Sequence, residues 1–129
     1  MEEQTAMAGM TAEEKEEYIV SQAMSIIMDA GDARVLAAKA VDAIGEEDFE
    51  KARALIKDAE KTQAKAHNVQ TDMIQGDIRG GDEKMGYNVL FAHAQDTLMT
   101  IQVEINMTKS MLKLAEKYDA RVKTLESRL

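Results

Sequence analysis

The sequence predicts an all-α protein, an antiparallel bundle of three long helices, and three observations lead there. Its 129 residues contain no proline, so the commonest cause of a helix break or kink is missing. Apolar residues make up 45% of the chain but aromatics only 4%; a core of Ala, Leu, Ile, Val and Met favours helix over strand. Finally, the apolar residues recur at steps of three and four through three long segments. A chain of this length is most simply a single domain, placed here at 12–129 after a flexible N-terminal segment, 1–11.

Thr11 followed by Glu14 has capping-box spacing, and the acids of EEKEE suit the positive end of a helix dipole. A first helix is expected to begin near Ala12. Ile19, Ala23, Ile26, Ala30, Ala33, Ala37, Ala40 and Ile44 form its apolar stripe, and the small alanines allow a neighbouring helix to approach closely. Gly45 is its natural end. Gly31 interrupts the pattern at a cost of about 1 kcal/mol relative to Ala, which packing can offset.

A second helix is expected to start around Glu46 to Asp48. Phe49, Ala52, Ile56, Ala59, Ala66 and Met73 share one face, with Gln63 and Gln70 inside the same stripe and in need of partners. Between Gly76 and Gly86, GDIRGGDEKMG holds four of the seven glycines among mixed charges, the composition of an exposed loop. Gly81 and Gly86 have P-loop spacing, but Tyr87 and Asn88 stand where Lys and Ser/Thr are required, which rules out nucleotide binding of that kind.

The third helix is expected from Tyr87 or Asn88 to Tyr118, with DARVKTLESRL able to continue it. It carries two apolar stripes. One holds Leu90, Ala94, Leu98, Ile101, Ile105, Leu112 and Ala115; the other holds Val89, Ala92, Asp96, Met99 and Val103 and drifts later to Met107 and Leu114. A three-helix monomer covers one such stripe, so the second implies association between copies, for which Met-rich surfaces are adaptable.

Composition excludes several function classes. Without cysteine there is no disulfide, thiolate nucleophile or zinc-thiolate site. No apolar run approaches the roughly 18 residues of a membrane span, and the N-terminus is acidic rather than a basic signal-peptide flank; a cytoplasmic location is expected. A formal net charge of -8 disfavours nucleic acid or an anionic membrane and suits a basic protein partner.

Two polar residues on the third helix stand out. Asp96 occupies a position where a helical seam would place a core residue, and an isolated buried carboxylate there would cost several kcal/mol. In a symmetric oligomer its copies would converge, and protonation or a divalent cation with oxygen ligands would relieve their repulsion; a small rotation of the helix would instead turn Asp96 to solvent. His93 borders both stripes, where an imidazole can be a nucleophile, a metal ligand, a base or simply structural. Ala64 and Leu90 stand three residues before His67 and His93, so the Glu-x-x-His pairs of a di-iron bundle are absent, as is HExxH. His67, in KAHNVQT, is read as structural.

Three stretches carry a family resemblance: IIMDAGDARVLAAKA, GEEDFEKARALIKDAEKTQAKAHNVQTDMIQGD and VLFAHAQDTLMT. In content and order the chain resembles, over about residues 16–118, the lactose/cellobiose-type IIA component, chitobiose-type members included, of the bacterial phosphoenolpyruvate-dependent sugar phosphotransferase system. The resemblance implies three-helix subunits assembled as a homotrimer of nine helices. It makes His93 the phosphoryl acceptor, loaded by the phosphorylated carrier HPr and discharged to a cysteine of the IIB component, with membrane contact only through the transporter complex. It makes Asp96 the residue whose three copies hold a divalent metal, commonly magnesium, at the trimer axis, and it gives Gln95 a supporting role. One departure is visible: the family element usually reads HAQDH or HGQDH, whereas Thr97 stands last here, and a hydroxyl cannot act as an imidazole base. The competing class is a divergent helical interaction or regulatory protein that feeds no transporter.

Overall fold

Thr11 opens the first helix as its sequence suggests: its Oγ1 accepts from the Glu14 N–H at 3.2 Å and donates to the Glu14 carboxylate. The computed structural model describes residues 6–129. Helix α1 spans Ala12–Gly45, α2 Phe49–Arg79 and α3 Val89–Ser127, with a single 3-10 turn at Gly81–Glu83 and no strand among the described residues. Asp48 caps α2 through Lys51 N–H, and Asn88 caps α3 through Phe91 N–H. Each cap satisfies one backbone donor that a helix start leaves free.

The helices pack up, down and up. Arg34 of α1 pairs with Glu104 of α3 through two hydrogen bonds of 2.9 and 3.0 Å. Lys109 of α3 meets Glu60 of α2 at 2.6 Å, and Arg53 of α2 pairs with Glu116 of α3. These pairs are exposed and contribute little individually, but together they mark a register in which α1 and α3 run parallel and α2 runs against both. The core stripe of α1 is Ile19, Ala23, Ile26, Ala30, Ala33, Ala37, Ala40 and Ala43, all buried. Six alanines in that set bring α1 close to both neighbours, and Leu98, Ile101 and Ile105 of α3 fill the main core beside them. A second cluster around Ala40, Ala43, Ala52, Ile56 and Leu112 closes the far end.

Helix α1 ends at Gly45 as expected, though not through the conformation of that glycine. Gly45 is the last helical residue, and the left-handed position is taken by Glu47 at φ 61°. Asp48 N–H donates to Ala43 O at 2.9 Å and Glu47 N–H to Ile44 O at 3.0 Å, the paired bonds of a Schellman motif. These two bonds close α1 immediately after Gly45.

The glycine-rich stretch also departs from an open loop over 76–86. Helix α2 continues through Gly76 to Arg79, and Glu83 packs over Gly76, where a Cβ would lie 3.2 Å from the Glu83 carboxylate and 3.3 Å from its Cβ. Glu83 in turn accepts from the Met7 N–H at 3.0 Å, Asp77 accepts from the Met85 N–H at 2.8 Å, and Lys15 reaches Asp82 at 3.5 Å. Met7, within the segment expected to be flexible, is buried in the main core cluster; residues 1–5 of that segment lie outside the described residues.

Candidate functional site

Helix α3 positions His93, Gln95, Asp96 and Thr97. Its inner face, Phe91, Ala94, Leu98, Ile101, Ile105, Thr108 and Leu112, is buried against α1 and α2. With that face fixed, 3.6 residues per turn dictates where the others stand. The second apolar stripe lies outside: Val89, Met99, Val103, Met107 and Leu114 are all exposed, and Asp96 is exposed among them. The chain therefore presents an uncovered apolar seam with one carboxylate in it.

His93 is exposed, one turn from Thr97, while Gln95 and Thr97 are half-buried. Thr97 Oγ1 donates to the backbone carbonyl of His93 at 2.9 Å, and Thr100 Oγ1 donates to that of Asp96 at 2.7 Å. Each hydroxyl is thus held by its own helix and points at backbone rather than at the imidazole or carboxylate. The imidazole is open to an incoming group.

The metal expectation meets a constraint within one chain. Among the described residues no three His, Cys, Asp or Glu side chains come together in a way that could hold a metal ion. Asp96 stands alone in its seam because its nearest stripe neighbours, Ala92, Met99 and Val103, are apolar. The donor set of a single chain does not make a metal centre, and only other copies of Asp96 could complete one.

Sequence reasoning missed a groove on the opposite flank of the seam. Gln63, His67, Met99, Gln102, Asn106 and Lys109 line it between α2 and α3. His67 is exposed on its rim. Gln63 is 3% exposed and its Nε2 donates to Leu98 O at 2.8 Å, while its Oε1 has no partner among the described residues. Periodicity put Gln63 in the α2 stripe, but nothing in a single helix reveals which residues of another helix it will face.

Two further properties bound the chemistry. No helix among the described residues is long and apolar enough to cross a membrane. The described residues place no second histidine beside His93, since His67 stands on α2 across the helix from it.

Comparison with known proteins gives the following. The family model described as PTS system, Lactose/Cellobiose specific IIA subunit matches residues 21–116. The PTS system lactose-specific EIIA component of Lacticaseibacillus casei is 34% identical over 112 residues, which is 87% of this chain and 95% of that protein. The crystal structure of PtcA from S. mutans superposes with a TM-score of 0.75 at 30% identity, covering 83% of this chain and 99% of that one. IIA(Chitobiose) in its solution complex with HPr, from the N,N'-diacetylchitobiose branch of the Escherichia coli phosphotransferase system, gives a TM-score of 0.67 at 33% identity over 81% of this chain and 96% of that one.

Proposed function

Because the chain belongs to the lactose/cellobiose-specific IIA subunits of the bacterial sugar phosphotransferase system, we propose that it relays a phosphoryl group through His93. The exposed imidazole on α3, beside Gln95 and Asp96, is the observation that carries this reading. A ring nitrogen of His93, Nε2 as the family resemblance implies, attacks phosphorus on the phosphohistidine of HPr. The new N–P bond forms as the N–P bond on the carrier breaks. In the second step a cysteine thiolate of the IIB component attacks the same phosphorus, an S–P bond forms, and the His93 imidazole leaves. Phosphoryl transfer of this kind depends on in-line positioning and charge stabilisation, so an exposed helix face suffices if the partners supply the remaining groups. The E. coli relative solved with HPr supports the first partner, and a net charge of -8 suits a basic carrier surface.

The uncovered seam of α3 supports assembly of copies around that helix, as a homotrimer. In that assembly three Asp96 carboxylates would hold a divalent cation, Mg²⁺ by family resemblance, whose positive charge would offset their mutual repulsion. The chain's own contribution is the apolar seam that brings them together. Gln95 is a positioning residue at the border of the site. The sugar is of the lactose, cellobiose or chitobiose class, and no residue of the IIA chain need touch it.

Onward transfer tests the relay. Protein phosphorylated by HPr, freed of the carrier and mixed with IIB, should lose its phosphoryl group as the IIB cysteine gains one. Retention on the IIA chain with a matched IIB would favour the divergent interaction or regulatory role, for which Thr97 in place of the usual histidine is the specific motive.

A further inference from the structure

We infer that the C-terminal end of α3, residues 117–129, forms a parallel coiled coil with the same segment of other copies of this chain, extending the assembly beyond the bundle. The inference rests on the association of copies proposed above. The family match ends at residue 116, whereas α3 runs on to Ser127. The last buried residue of α3 is Leu112, and past Asp119 every residue of the helix is exposed, so its end stands clear of the bundle core. An isolated helix of about three turns is marginal in water unless a partner covers an apolar face.

Such a face is present. Tyr118 is 59% exposed, Val122 49% and Leu125 60%, and with Leu129 they continue the stripe of Met107, Met111 and Leu114 without a break. The spacing repeats every eleven residues: Met107, Tyr118 and Leu129; Met111 and Val122; Leu114 and Leu125. An eleven-residue repeat corresponds to 3.67 residues per turn, which keeps one stripe on one side of a nearly straight helix and so matches it to helices running alongside.

Charge identifies the occupant. On a helix of 3.6 residues per turn, Lys117, Arg121 and Arg128 flank the seam on one side. Asp119 and Glu126 flank it on the other, with Lys123 held by Asp119 at 2.9 Å. In parallel copies related by a rotation axis, the basic flank of each meets the acidic flank of the next. An antiparallel pair would set basic against basic and acidic against acidic. The segment is therefore complementary to itself in parallel register.

The absence of cysteine makes the test clean. Leu125→Cys and, on the opposite side of the same turn, Ser127→Cys are made separately in the full chain. Each is oxidised at low micromolar concentration, with cross-linking followed on non-reducing gels and mass by light scattering before oxidation. A disulfide needs Cα atoms within roughly 7 Å, which parallel register provides at position 125 and not at 127. Cross-linking at 125 should be more than fivefold faster than at 127 and unchanged by further dilution of the assembly. A ratio of fivefold or less in an assembled sample would overturn the coiled coil and leave the association of copies standing. A wild-type chain found monomeric by light scattering would remove both.

Discussion

What distinguishes His93 from His67 is its surroundings along the helix: Gln95, Asp96 and Thr97 follow it within a turn, and it borders an uncovered apolar seam. His67 faces a groove lined by Met99, Gln102 and Asn106. Thr97 bonds the backbone carbonyl of His93 and not its ring, so Thr97→Ala should change the rate of phosphoryl acceptance by no more than roughly threefold, about 0.6 kcal/mol of barrier. Stopped-time phosphorylation assays check this, and a tenfold loss would show that the hydroxyl contacts the transferring group. Gln63 makes a second test at this scale. Its Nε2 bond to Leu98 is worth about 1 kcal/mol, while its unpartnered Oε1 carries a desolvation cost of similar size. Gln63→Met should therefore change the unfolding free energy by less than about 1 kcal/mol in urea titrations. A loss above about 2 kcal/mol would mean that Oε1 has a partner in solution. The places of His93 and Asp96 on the third helix were legible in its apolar period, whereas the roles expected of them came from the family resemblance and not from the period. The groove was not, because it is made by residues of two helices whose relative rotation no single period reveals.

At the scale of the elements, helix existence followed from periodicity, and α1 ends at Gly45 as expected, although the glycine does not itself make the stop. Gly45 is the last helical residue, and the left-handed conformation that closes the helix is carried by Glu47, fixed there by two backbone bonds. A non-glycine residue pays about 1 to 2 kcal/mol in that conformation, part of which glycine loses again through its freer unfolded chain. Glu47→Gly should raise stability by roughly 0.5 to 1 kcal/mol in thermal or urea unfolding, and a drop would show that the Glu47 side chain contributes more than its strain. Similarly, GDIRGGDEKMG was read as an open loop from its composition. Four contacts that composition does not encode shape it instead: Glu83 over Gly76, Glu83 to Met7, Asp77 to Met85, and Lys15 to Asp82.

For the whole molecule, the sequence contained more apolar surface than three helices can cover, and the structure, which also exposes Met24, Met28 and Val35 of α1, leaves much of that excess along one face of α3. Val89, Met99, Val103 and Met107 lie along it with Asp96 among them. If copies associate there, Asp96→Leu removes the converging carboxylates and with them any need for a cation. The variant should keep the wild-type mass in light scattering and become indifferent to a chelator that weakens the wild-type assembly. A variant that falls apart would show instead that the carboxylates, with their metal or hydrogen bonds, hold the copies together.

The relay through His93 is the central claim, and one measurement addresses it most directly. The protein is incubated with phosphoenolpyruvate, Enzyme I and HPr and weighed intact under non-acidic conditions, beside His93→Ala. The account predicts one added phosphoryl group on the wild type and none on the variant, with both equally helical. An adduct that persists in His93→Ala would move the acceptor elsewhere, to His67 first, and no adduct on a correctly assembled wild type with a matched HPr would contradict the relay altogether.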